Sequence, residues 1–375
     1  MSGTVWILGA GFSKSLGGPL LPDLLSTASM ARISAAYPKT DSRFTKLRGE
    51  AVNEVMHLYC IGGPEGQAVG RRWEDAEEFL DALDTAARSE IGSQARVYLN
   101  SITGAKGVDP NELAIAARRL VAAECSLFVE KATVRTEVWN PYQRWAELLG
   151  PSDTVITFNY DLVVERAMDI AGQLSGLQVV LPDAELDENR VALLKLHGSV
   201  DWQRIGKVYT RQDPTWAMIS PDEQFVIATP GPRKLTESLN LGWLWQKAKT
   251  RLKTATAIVF VGYRFPPSDS YSRRELLSAL AMHNESKTLS IHTVLGQNTG
   301  DPATLRLVGL LRHAGATWDK RRHAREPKGE GLAALQAAMD AHKQQKALSI
   351  HPLFAEDFLD LFHPEDLAML DGRDF

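Results

Sequence analysis

The chain has 375 residues, a formal net charge of −4 and 44% hydrophobic residues. That is ordinary globular composition, enough for about two domains of roughly 150 residues or one elaborated α/β domain, and nothing in the charge balance argues for a dedicated nucleic-acid binder. The two cysteines, Cys60 and Cys125, stand far apart, which excludes a four-cysteine zinc site and gives no sign of a disulfide framework.

Thr4-Val5-Trp6-Ile7-Leu8 reads as a buried strand running into Gly9-x-Gly11, the strand-then-turn chemistry that opens a doubly wound sheet. No basic leader precedes it, and no apolar run approaches the roughly 20 residues of a membrane span. A soluble, cytoplasmic protein without a membrane partner is expected. From about Leu20 the texture turns helical. Trp73–Leu83 carries apolar residues at helical spacing with acids between them, and Asn111–Val129 follows a helix start at Asp109-Pro110. Strands return at Thr154–Phe158, followed by a helix over Asp161–Ala171, then at Val191–Leu196 and at Phe225–Ala228, where Pro230-Gly231-Pro232 breaks the run. Leu241–Leu252 reads as helix, Ala257–Val261 as a strongly apolar strand ending at Gly262, Ser272–His283 as helix, Leu289–Leu295 as the last strand and Thr304–His313 as the last core helix. A basic cluster, Lys320–Arg325, then precedes a linker at Glu326–Gly329, an alanine-rich helix over Gly331–Ala347 and a tail of acids, Phe and Leu from His351. The alternation predicts an α/β fold: a Rossmann-like, largely parallel sheet with helices on both faces, plus a helical insertion and no zinc module. The expected organisation is 1–30 with 150–318 as the sheet domain, 31–149 as the mostly helical insertion, and 319–375 as linker, helix and tail.

Four strand ends carry candidate chemistry. Gly9-Ala10-Gly11-Phe12-Ser13 lets a backbone approach a pyrophosphate closely, and is equally a plain tight turn. Thr157-Phe158-Asn159-Tyr160-Asp161 ends a strand with an amide and a carboxylate, where open α/β sheets bind ligands. Asn159 can position a water or a ribose hydroxyl; Asp161 can accept from a carboxamide, or simply cap the following helix. His197, before Gly198, suits a general base near neutral pH or a hydrogen-bonded turn histidine. Gly262-Tyr263-Arg264-Phe265-Pro266-Pro267-Ser268-Asp269 follows the most apolar strand and can wrap an adenosine, or stiffen a loop before a helix. The basic cluster reads as solvated, since no aromatic residues interleave it, so no direct nucleic-acid binding is expected. There is no GxxxxGK[ST] phosphate loop, no HExxH helix and no GxSxG elbow.

Taken in order, GAGFS, TFNYD, KLHGSVDW and VFVGYRFPPSD resemble the sirtuin-like proteins of prokaryotic anti-phage defence, over roughly residues 3–315. In ordinary sirtuins the matching motifs are a GAG-x-S turn, a TQNID-type strand end and an HG pair. Ala228–Lys234, Leu244–Ala248 and the acidic Asp75–Leu80 helix are similar to the defence branch. The chain departs from sirtuin deacylases in lacking the four cysteines and in carrying Phe158 where they carry glutamine, which points away from deacylation and toward water as the nucleophile.

The resemblance implies NAD+ as substrate, no metal, and cleavage of the nicotinamide–ribose bond. Gly9, Ala10, Gly11, Phe12 and Ser13 would hold the pyrophosphate, with Thr157, Phe158, Gly262, Tyr263 and Asp269 completing the cofactor site. Asp161 would orient the carboxamide, Asn159 would position water, and His197 would take a proton. It further implies an abortive-infection NADase, a homo-oligomer, and a defence partner such as a HerA-type ATPase or an Argonaute-like protein. A non-catalytic NAD or ADP-ribose sensor and an ADP-ribosyltransferase are the alternatives.

Overall fold

The computed structural model describes residues 3–37, 59–62, 68–71, 75–97, 109–266, 269–283, 289–323 and 346–367, together with Val52, Val55 and Trp73. Its strands are β1 (Thr4–Leu8), β2 (Cys60–Gly62), β3 (Ala68–Arg71), β4 (Thr154–Thr157), β5 (Leu177–Val179), β6 (Val191–Lys195), β7 (Gly198–Ile205), β8 (Val208–Arg211), β9 (Phe225–Ile227), β10 (Ala257–Val261), β11 (Leu289–Val294) and β12 (Lys346–His351). Seven of them form one sheet in the order β12-β11-β10-β1-β4-β6-β5, and every neighbouring pair is parallel.

The alternation of β1 divides the core in two. Val5 and Ile7 face the layer with Leu244, Trp245, Leu276 and Leu311, from the helices Gly242–Thr254, Ser270–Ala281 and Pro302–His323. Trp6 and Leu8 face the layer with Tyr142, Trp145, Val163 and Phe358, from the helices Asn140–Leu148, Val163–Ile170 and Ala355–Leu361. Both faces are covered, which is why these strands read as continuous apolar runs. The α/β architecture with helices on both faces is the expected one.

A third core lies in the helical region. Ala76–Arg88 packs on Pro110–Thr133, with Phe79, Leu83, Ala117 and Leu120 fully buried between them. Asp75 caps the first helix by accepting from the Glu77 and Glu78 N–H groups, and Asp109 caps the second at Asn111. The same core takes in Val200, Phe225 and Ile227 from a three-stranded antiparallel sheet ordered β8-β7-β9.

The strand expected over Phe225–Ala228 forms at Phe225–Ile227, and it joins this smaller sheet rather than the parallel one. A short apolar run bounded by prolines has no signal for which sheet it joins. The helix expected over Asp161–Ala171 begins at Val163, with the Asp161 carboxylate accepting from its first N–H at 3.1 Å. The last core helix runs Pro302–His323, so Lys320–His323 continue it rather than open a linker. Lys346 and Ala347, read as the end of a helix, start the edge strand β12, paired along its length with β11. The linker at 326–329 and the rest of the alanine-rich helix lie outside the described residues.

Candidate active site

Five loops leave the carboxyl ends of adjacent strands β11, β10, β1, β4 and β6 and enclose one cavity of about 480 Å³. That is ample for a small-molecule site. Gly9, Ala10, Gly11, Ser13, Phe158, Asn159, Asp161, His197, Gly262, Tyr263 and Asp269 all line it. Two expected cofactor residues do not. Phe12 is buried edge-on against Tyr142 and Trp145, and Thr157 lies in β4 with its Oγ1 accepting from the Asn159 N–H at 3.1 Å.

The glycines answer first to backbone packing. A Cβ on Gly9 would sit 2.6 Å from the Gly262 carbonyl oxygen, one on Gly11 2.7 Å from Gly262 Cα, and one on Gly262 2.4 Å from the Phe12 nitrogen. Gly262 also needs its left-handed φ of 66°. The turn itself is a three-residue 3-10 helix over Ala10–Phe12. Gly9 N–H donates to Val261, Gly11 N–H to Gly262, Phe12 N–H to Gly9 and Ser13 N–H to Ala10. These four donors are occupied within the protein, and the Ser13 hydroxyl is the polar side chain that the turn brings to the cavity.

That hydroxyl joins two motifs in a hydrogen-bond chain of fixed direction. Asn159 Nδ2 donates to the Gly9 carbonyl at 3.0 Å and to Ser13 Oγ at 3.2 Å; Ser13 Oγ in turn donates to Asp161 Oδ2 at 2.9 Å. A carbonyl only accepts, so the amide orientation is set, and Oδ1 is left as the acceptor that Asn159 brings to the site. Asp161 is buried, and burial raises its pKa against the opposing charge of Lys195. Lys195, fully buried in β6, donates to the Asp161 carbonyl at 2.6 Å and pairs with Glu165 at 3.0 Å.

His197 is 3% exposed. Burial pushes its pKa from 6.5 down to about 3, with the Lys234 ammonium pushing the same way and Asp269 and a hydrogen bond to the Phe158 backbone opposing. Its Nε2 stands 3.4 Å from Ser272 Oγ and 3.8 Å from Asp269 Oδ1. With the ring neutral, the Asp269 contact is not an ion pair. His197 is therefore held as a neutral imidazole near neutral pH, the form that accepts a hydrogen bond or a proton from a hydroxyl.

Asp269 is held by Lys234 and by Tyr263 Oη at 2.8 Å, and the ammonium keeps its carboxyl below the usual range. Tyr263 stacks on Phe158 with centroids 4.0 Å apart and planes 9° from parallel, and Phe158 meets His197 edge-on. Phe158, in place of a polar residue, thus builds an aromatic wall. In the sequence, Lys234 and Ser272 are ordinary members of longer stretches. No local pattern ties either to His197; the fold brings them there from the helices Pro232–Asn240 and Ser270–Ala281. Asp75 and Glu77 reach the cavity from the helical region and Phe354 from the C-terminal segment. A second depression, about 340 Å³, lies between Leu277, Met282 and Leu310 and holds none of the motif residues.

Residues 153–308 match the family model of a SIR2-like domain. No curated protein matches the chain. The family uses NAD+. The SIR2-like segment contains Asn159, Asp161, His197, Lys234, Gly262 and Asp269, while the Gly9–Ser13 turn lies outside it. That turn reaches the SIR2-like site because β1 inserts between β10 and β4. Among the described residues, no group of three or more His, Cys, Asp or Glu is placed to hold a metal ion, and no helix is long and apolar enough to cross a membrane.

Proposed function

We propose that the cavity binds NAD+ and hydrolyses its nicotinamide–ribose bond. The observation that carries this reading is the Asn159–Ser13–Asp161 chain at the strand ends, which leaves the Asn159 carbonyl as a fixed acceptor beside a neutral, buried His197. In the reaction the bond from ribose C1′ to the pyridinium nitrogen breaks, and its electron pair returns to the ring to give neutral nicotinamide. A water held by Asn159 Oδ1 adds to C1′, whose transition state is oxocarbenium-like, and releases its proton to solvent. His197 accepts a hydrogen bond from a ribose hydroxyl and so stabilises charge developing on the ribose. Asp161, with a lone pair remaining on each oxygen, receives the carboxamide. The products are nicotinamide, ADP-ribose and a proton.

Purified protein incubated with NAD+ should release nicotinamide and free ADP-ribose in equal amounts. Asn159→Ala and His197→Ala should each lower the rate by at least about 100-fold. Wild-type rates in either variant would overturn the assignment. Binding without release would instead identify a sensor, and ADP-ribose on a macromolecule would identify a transferase. The four-motif resemblance supports extending the reading to a defence effector that depletes NAD+ when triggered. It also supports a homo-oligomer with a partner such as a HerA-type ATPase or an Argonaute-like protein. Co-purification with such a partner, followed by the same assay, tests that extension.

A further inference from the structure

The cavity is wider than the chemistry needs. Asn159 and His197 stand at the ends of β4 and β6, whereas Gly296, Arg264 and Phe354 line its other end beyond β10 and β11. From β6 to β11 is four inter-strand spacings, about 19 Å. A dinucleotide whose reacting ribose lies at Asn159 therefore extends its other half toward Gly296.

What lines the cavity there is an aromatic ring, Phe354, with the guanidinium groups of Arg264 and Arg306. Phe354 is 49% exposed although it follows an edge strand and opens a helix whose next residue, Ala355, is buried. Its position is fixed: the Gly296 N–H donates to the Leu353 carbonyl at 2.9 Å, and the Phe358 N–H to the Phe354 carbonyl at 3.1 Å. Gly296 has a left-handed φ of 98°, and a Cβ there would lie 3.2 Å from the Phe354 ring and 3.9 Å from Arg264 Nη2. A side chain at 296 would fill the space between ring and guanidinium. Arg264 is anchored to Asp301 at 3.1 Å and to the Leu295 carbonyl, and Arg306 to the Phe265 carbonyl at 2.8 Å.

We propose that Phe354 is the stacking platform for the purine base of the dinucleotide, with Arg264 and Arg306 beside its phosphates. The inference rests on the NAD+ reading above. It assigns a cofactor-binding role to the C-terminal segment, which lies outside the SIR2-like match. A flat apolar ring stacks on a base and the flanking cations favour its phosphate.

Titration calorimetry on the full chain with AMP, ADP-ribose and nicotinamide mononucleotide tests this. Phe354→Ala and Phe354→Leu should each weaken AMP and ADP-ribose about tenfold or more and leave nicotinamide mononucleotide unchanged, while Phe354→Trp keeps wild-type affinity. Leucine keeps the apolar contact without the flat ring, so its melting temperature should match wild type. The inference is overturned if either variant binds AMP like wild type, if nicotinamide mononucleotide weakens equally, or if wild-type protein binds that mononucleotide but not AMP. Failure of wild-type protein to bind any of the three would overturn the NAD+ reading as well.

Discussion

His197 should make the protein acid-sensitive well above the pH at which its own ring protonates in the folded state. Folding lowers its pKa from 6.5 to about 3. Between those values the unfolded chain takes up a proton that the folded protein refuses, so stability falls as pH falls through the window and is unaffected above it. At pH 5 the unfolded ring is about one and a half units below its ordinary pKa, which corresponds to about 2 kcal/mol of lost stability. Near pH 3 the loss approaches about 5 kcal/mol. Glutamine removes the titration while keeping a polar side chain, so wild type and His197→Gln should be unfolded in urea at pH 7.5 and pH 5.0. Groups remote from His197 titrate alike in both proteins and cancel in the comparison. The expected result is a drop between the two pH values that is about 2 kcal/mol larger in wild type. Equal drops would refute the account of His197 as a buried neutral ring.

Two further substitutions probe the scaffold around it. Gly262→Ala places a methyl group 2.4 Å from the Phe12 nitrogen at a left-handed φ, and should cost about 2–5 kcal/mol in urea unfolding; near-wild-type stability would show that the two turns are not packed as described. Lys234→Met leaves the Asp269 carboxylate buried without its ammonium partner, and should cost about 3 kcal/mol at pH 7.5. The same variant removes a charge that lowers the His197 pKa, so the acid loss seen in wild type should shrink; an unchanged pH dependence would mean that Lys234 does not act on the ring.

Much of the sheet was legible because buried parallel strands announce themselves. Val5–Leu8, Val155–Ile156 and Ala257–Val261 are runs too apolar to be anything but core, each ending in glycine or a polar motif. The caps at Asp75 and Asp109 are local chemistry and were equally readable. Phe225–Ile227 was not assignable to its sheet, because its partners in β7 depend on Gly198 turning the chain at a φ of 80° straight out of the β6 end. The edge strand β12 carries Lys346, Ser349 and His351 among its apolar residues, so it lacks the signature of the central strands.

Asn159, Asp161 and His197 were marked by residue type and by their place after apolar strands, and that much needs no coordinates. Their chemistry needed the fold. Tertiary packing ties the glycine turn to Val261 and Gly262, aligns the amide of Asn159 through Ser13, and sets Lys234 near a buried, neutral imidazole. Local pattern reports what a few consecutive residues favour. A pKa, a hydrogen-bond direction and a cavity wall such as Phe354 depend on what residues distant in the chain bring to within a few ångströms.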